Sequence, residues 1–167
     1  PTVKALRRAS KSVHPQKPDI NEQGWDLKPV LKLLDSIDNK KATLKELSQK
    51  AVVLLAIASF WRVRSDFARI NMEDVRITQT GMTMIATAPK EGEFKKTTIS
   101  RYDKNPNICP VATVEEYIKT TKNLRSPTAK KLFVLFRRPH SDCTDDTLGR
   151  WTKAVLKKLE SQQLHTR

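Results

Sequence analysis

Residues 43–75, TLKELSQKAVVLLAIASFWRVRSDFARINMEDV, combine a long apolar segment with a cluster of arginines directly behind it. Thr43, followed three residues later by Glu46, is a capping-box pattern that predicts the start of a helix. Apolar residues occupy nearly every face of the helix that follows, over residues 44–58. Such a helix is typical of the centre of a domain, where all its sides are buried. The apolar pattern stops at Phe60, so we expect the helix to end there.

Outside this segment, apolar spacing predicts further helices and one small sheet. Helices at 3.6-residue spacing are expected at 25–37, from Pro110 to about 123, and from 144–146 to 159, with a short one at 65–70. Segments rich in Val, Ile, Thr and Met, with glycines at the turns between them, predict strands at 75–77, 83–88 and 96–100. An apolar run at 132–136 is expected to be extended. The predicted fold class is therefore mainly α with one small three-stranded antiparallel β-sheet, an α+β architecture.

The chain has 167 residues, which suits one domain with a trailing arm. Proline, glycine and basic residues mark 1–24 as an N-terminal arm or linker, 25–160 as the core and 161–167 as a polar tail. No apolar run is long enough to span a membrane, so no membrane partner is expected. The two cysteines and three histidines have no metal-ligand or disulfide spacing, which predicts an intracellular protein without a metal site.

The charge of the chain is strongly positive. Lys and Arg number 32 against 18 Asp and Glu, a formal net charge of +14, and the pI is about 10.0. A folded chain this basic favours a polyanionic partner, usually nucleic acid. The alternative is a protein-interaction domain whose basic surface meets an acidic partner.

The arginines behind the central helix are the main chemical feature. Arg62, Arg64 and Arg69 surround Asp66 in the sequence. An arginine held at the end of a core helix has a fixed direction, and its guanidinium can bind a phosphate through two hydrogen bonds. The alternative is a set of solvated charges at a helix end. The lysines of 89–96 could likewise reach a groove or donate a proton, or could simply lie on an exposed turn.

Several motifs share an order along the chain. The segment ASFWRVRSDFARI at 58–70, followed by MEDV at 72–75, resembles the first catalytic box of the tyrosine recombinase (phage integrase) family. The ICPV sequence at 108–111 resembles a helix start of that family, and LFV at 132–134 with Trp151 resembles the approach to its second box. The Arg-x-x-Ser-Asp form looks closest to eukaryotic mobile-element members of the crypton and tyrosine-recombinase retrotransposon kind.

The resemblance implies a mechanism and roles for individual residues. In complete relatives a tyrosine attacks a DNA phosphodiester and forms a phosphotyrosyl link, with no metal or nucleotide cofactor. Arg62 would stabilise negative charge on the phosphate. Arg64 is the alternative, because the commoner family spacing is Arg-x-Ser-Glu and neither arginine has it. Lys90 would be the general acid, and Asp66 would orient Arg62. Contacts to the phosphates of double-stranded DNA would come from Arg64, Arg69, Lys95, Lys96 and Arg101, with Arg137, Arg138 and Arg150 as further candidates.

The family pattern also requires residues that this sequence does not show. A His-x-x-Arg box and a later nucleophilic tyrosine are not found within the 167 residues, and Tyr102 and Tyr117 both precede the expected second box. We therefore expect a DNA-binding core that is inactive as given, or alternatively a domesticated, non-catalytic DNA-binding module. A monomer is expected for this chain, with self-association possible in the full-length protein, and a nuclear location if the source is eukaryotic.

Overall fold

The computed structural model describes residues 26–87 and 94–164, apart from the side chain of residue 163. In chain order its elements are α1 (Lys28–Asp35), α2 (Leu44–Ser59), a 3-10 turn (Phe67–Arg69), β1 (Ile70–Ile77), β2 (Gly81–Ala86), β3 (Lys95–Ser100), a second 3-10 turn (Pro106–Ile108), α3 (Pro110–Thr121) and α4 (Asp145–Leu164). The predicted mainly α fold with a three-stranded antiparallel sheet is confirmed. The predicted arm at 1–24 lies outside the described residues.

Helix α2 forms the centre of the domain. The Thr43 hydroxyl accepts a hydrogen bond from the Glu46 amide at 3.3 Å, and the Glu46 carboxylate accepts one from the Thr43 amide at 3.0 Å. The predicted capping box is therefore present. Residues Ala51 to Leu55 are all buried, so the helix packs on every side, as its apolar pattern predicts. It ends at Ser59, one residue before Phe60.

The sheet has the order β1-β2-β3 and both pairings are antiparallel. Met82, Met84 and Ala86 alternate along β2 and are all buried, because this face of the sheet covers the core. Strand β1 begins at Ile70, five residues before the predicted start. Its first half pairs irregularly with β2 and is bonded on its other edge to residues 130–132, through Met72 and Ile70.

Two apolar clusters stabilise the fold. The larger lies between α2, the sheet, α3, α4 and the extended run 132–134, and includes the fully buried Tyr117. The Tyr117 hydroxyl accepts a hydrogen bond from the Val134 amide at 2.9 Å, which ties α3 to that run. A smaller cluster joins α1, α2 and Val155 of α4.

Three predicted elements differ in detail. The expected helix at 65–70 is a single 3-10 turn, Phe67–Arg69, because Ile70 already belongs to the sheet. Helix α1 covers Lys28–Asp35, with Pro29 in its first turn. Helix α4 begins behind Thr144, whose hydroxyl accepts a hydrogen bond from the Thr147 amide, and continues through residue 164. None of the helices within the described ranges is long and apolar enough to cross a membrane.

Candidate nucleic-acid interface

The loop between α2 and β1 is organised around the carboxylate of Asp66. This side chain has no exposed surface, although it lies in a loop segment rich in arginine. The neighbouring rings of Trp61 and Phe67 lie 6.5 Å apart and pack against the large core. They hold the loop against the domain and thereby place Asp66 beneath its surface.

Asp66 contacts two cations and two further donors. Its Oδ2 accepts hydrogen bonds from the Arg62 amide and from the Lys95 ammonium, each at 3.0 Å. Its Oδ1 accepts one from the Ser65 hydroxyl at 3.2 Å and lies 3.6 Å from the Arg62 guanidinium. A single buried carboxylate therefore brings together Arg62 and Lys95, which are 33 positions apart in the sequence.

The electrostatics of this site favour the ionised form of Asp66. Burial alone would raise the pKa of its carboxyl. The hydrogen bonds from the Arg62 amide and the Lys95 ammonium outweigh burial, so the pKa lies below the usual 3.8. The Arg62 and Lys95 side chains keep 52% and 31% of their surfaces exposed. Both side chains are thus anchored by a buried anion and keep part of their surface exposed.

Of the two lysines predicted on β3, only Lys95 joins this site. Side chains alternate between the two faces of a strand, and Lys95 is half-buried whereas Lys96 is exposed. Lys95 therefore points towards Asp66, and Lys96 lies on the opposite face of the sheet. Lys90, the predicted general acid, lies outside the described residues, so its position relative to Arg62 stays a prediction.

Arg64, in the loop between α2 and β1, joins a second group of cations whose other members lie on α4. Its guanidinium forms an ion pair with Asp146, in the first turn of the helix. Gly149 leaves room for the aliphatic part of Arg64, because a methyl group there would come within 3.0 Å of the Arg64 Cγ and Cδ atoms. Together with Arg150 and Lys153, these residues line an open hollow of about 240 Å³. Lys153 was not predicted, although its spacing of three residues from Arg150 places both on one helix face.

Arg69 and Arg101 lie next to the sheet, directly before β1 and directly after β3. The Arg69 carbonyl accepts hydrogen bonds from the amide and hydroxyl of Thr87. The Arg101 guanidinium donates to the Gln79 carbonyl and to the Glu115 carboxylate, each at 3.0 Å. Arg101 follows the last residue of β3, at the end opposite Lys95. It links the β1–β2 turn to α3, and its predicted role as a phosphate contact stays a prediction.

The described parts of the chain, 26–87 and 94–164, contain no group of three or more His, Cys, Asp or Glu residues that could hold a metal ion. The two cysteines are buried and unpaired. Burial raises the pKa of the Cys143 thiol to about 12, so this group is protonated at neutral pH.

Comparison with known proteins identifies the fold. No protein-family model matches the sequence, and no curated protein matches it. Among solved structures, the chain is similar to the XerH site-specific recombinase, determined in a pre-cleavage complex with its difH substrate. The TM-score is 0.57 at 12% sequence identity, and the match covers 93% of this chain but 46% of that one. The chain therefore has a tyrosine recombinase-like fold and spans about half the length of this relative.

Proposed function

We propose that this chain is the DNA-binding core of a tyrosine recombinase-like protein, and that it binds the phosphodiester backbone of double-stranded DNA. The observation that carries the proposal is the buried Asp66 carboxylate, which brings Arg62 and Lys95 together while 52% and 31% of their side-chain surfaces stay exposed. Two cations positioned in this way form a seat for one phosphate. The net charge of +14 supplies long-range attraction to DNA.

Within this proposal Arg62 binds the phosphate at the point where strand cleavage takes place in complete recombinases. Its guanidinium stabilises negative charge on the non-bridging oxygens, and Asp66 positions it from beneath. Lys95 contributes a second positive charge to the same phosphate. Lys90, four residues after the end of β2 in the sequence, is assigned the role of general acid on the resemblance alone.

The hollow on α4 extends the proposed DNA surface. Arg64 lies two residues from Arg62 and pairs with Asp146 beside Arg150 and Lys153. An exposed ion pair of this kind contributes little to stability, so Arg64 can exchange its carboxylate partner for a phosphate. We assign this second group of cations to the backbone next to the central phosphate, where it adds affinity without reading sequence.

The remaining assignments rest on the sequence. We propose a monomer for this chain, an intracellular and, in a eukaryote, nuclear location, and an origin in a mobile genetic element. The last assignment is supported by the Arg-x-x-Ser-Asp form at 62–66.

The proposal is tested by measuring duplex binding as a function of salt. A fluorescent duplex of about 30 base pairs, titrated at about 50 to 200 mM salt, should show a log affinity that falls linearly with log salt. Arg62→Ala and Lys95→Ala should each weaken binding by about tenfold and reduce the salt slope by about one. Lys119→Ala, which removes an exposed lysine of α3 outside both groups of cations, is the matched control. Binding that is indifferent to salt, or equal effects of all three substitutions, would refute the proposal.

A further inference from the structure

Phe60 is the most exposed large apolar side chain in the described parts of the chain. It follows the last residue of α2, and 92% of its surface is accessible to solvent. Its backbone is in the left-handed region, with φ 56° and ψ 20°. Side chains other than glycine disfavour this region because the Cβ atom crowds the following carbonyl oxygen.

Neither the backbone nor the packing of the domain accounts for a phenylalanine at this position. Glycine is the residue that ends helices in this conformation without strain. The next residue, Trp61, turns inward to the core, whereas Phe60 turns outward and leaves its ring in water. A strained conformation combined with an exposed aromatic ring points to a contact outside the domain.

The surroundings of Phe60 indicate the chemistry of that contact. Arg62 and Arg64, two and four residues further along the same loop, are both more than half exposed. A second exposed ring, Phe94, directly precedes Lys95, which shares the Asp66 carboxylate with Arg62. Aromatic rings beside backbone-binding cations are the combination by which proteins contact unstacked bases, because cations hold the phosphates and rings stack on the bases. An acidic protein surface could use the same cations, but the tyrosine recombinase-like fold and the net charge of +14 favour DNA as the partner.

We propose that Phe60 is a wedge that contacts bases: it stacks on an unpaired base next to the phosphate held by Arg62 and Lys95. The inference rests on the proposed function, since the bound DNA brings the base to the ring. The chain should therefore favour duplexes in which bases are already unstacked, because insertion into a perfect duplex has to disrupt stacking first.

The test compares a perfect duplex with the same duplex carrying a two-base bulge. The wild-type chain should bind the bulged duplex about fivefold or more tightly than the perfect one, as expected for one base stacked on an aromatic ring. Phe60→Gly should abolish this preference and leave affinity for the perfect duplex within about twofold, whereas Phe60→Trp should keep the preference. Leu124→Ala, which shortens another exposed apolar side chain, is the control and should change neither affinity.

The fold of the variant is monitored at the same time. Because glycine relieves the left-handed strain, Phe60→Gly should raise the melting temperature by about 2 to 4 °C. A lowered melting temperature would show that Phe60 packs within the domain and would overturn the inference. If the wild-type chain does not bind the perfect duplex at all, the proposed function fails and the wedge with it. If the wild-type chain binds the perfect duplex but Phe60→Gly keeps the preference for the bulged duplex, the wedge is wrong while the proposed function stands. The same conclusion follows if the only effect of Phe60→Gly is to abolish self-association measured by sedimentation.

Discussion

The substitution Asp66→Asn tests whether one carboxylate organises the cationic site. Asparagine keeps the size and one acceptor oxygen of the side chain but removes its negative charge. Asp66 is fully buried and accepts hydrogen bonds from the Lys95 ammonium and the Arg62 amide, each at 3.0 Å. The change therefore weakens a charged hydrogen bond and removes the attraction to the Arg62 guanidinium at 3.6 Å.

The expected loss of stability follows from these contacts. Breaking a buried ion pair generally destabilises a protein by about 3 to 5 kcal/mol, because the partner charge stays buried. Here Lys95 and Arg62 are both partly exposed and can turn to solvent, which reduces the loss to about 1 to 3 kcal/mol. For a chain of this size the melting temperature should fall by about 2 to 10 °C. Circular dichroism during thermal or urea unfolding measures both quantities.

The loss should depend on pH in a defined direction. The folded-state pKa of Asp66 is lowered, so its ionised form stabilises the fold fully above the unfolded value of 3.8. That stabilisation disappears as the pH falls through the lower, folded-state pKa. The difference in unfolding free energy between wild type and Asp66→Asn should thus be constant near neutral pH and shrink below about pH 4.

Double-mutant cycles separate the two partners of Asp66. Coupling of Asp66→Asn with Lys95→Ala should reach about 1 to 2 kcal/mol, whereas coupling with Arg62→Ala should stay below about 1 kcal/mol because that pair is longer and more exposed. If Asp66 acted only through its negative charge, Asp66→Asn would bind DNA more tightly. If Asp66 positions Arg62, then Arg62→Ala should no longer weaken DNA binding in a chain that already carries Asp66→Asn. Wild-type stability in Asp66→Asn, or an undiminished effect of Arg62→Ala on duplex affinity, would contradict the reasoning.

Two further predictions concern the framework. Burial lowers the pKa of Lys50 from 10.5 to about 8, so between these pH values the unfolded chain binds more protons than the folded one. The free energy of unfolding should therefore rise with pH in this range, by up to about 3 kcal/mol. Lys50→Met should remove this rise, which urea unfolding at a series of pH values measures. Gly81→Ala should destabilise the sheet by about 1 to 3 kcal/mol, since the new methyl group would lie 2.5 Å from the Ile99 carbonyl oxygen. The atoms nearest to a methyl group at Gly149 belong to the flexible Arg64 side chain, so Gly149→Ala should be neutral or stabilising in the same thermal melts. Equal losses for both alanines would show that the close backbone contact at Gly81 is not the cause.

The elements predicted most accurately are those specified by neighbouring residues. The Thr43–Glu46 capping box depends on local hydrogen bonds, and the preference of Pro110 for the first turn of a helix depends on its own backbone angle. Helices α2 and α3 begin where these two signals predict. The first half of β1, from Ile70 to Asp74, was missed because its apolar alternation covers only Ile70 and Met72 before Glu73 and Asp74 interrupt it. It is extended through bonds to residues 130–132, which lie about 60 positions away in the chain.

The candidate site likewise combines features that neighbouring residues specify with features that contacts between distant residues specify. The composition and order of motifs indicated a basic, α+β domain with an arginine-rich loop behind a buried helix, because helix periodicity and capping act over three or four residues. Only the tertiary structure determined that Asp66 is buried and that Lys95, rather than Lys96, joins Arg62 at its carboxylate. That choice depends on strand register, where Lys95 pairs with Ala86, and a shift of one residue would turn the other lysine towards the carboxylate. Register depends on how the sheet packs on the core and on the neighbouring strands, and these contacts join residues that are distant in the sequence.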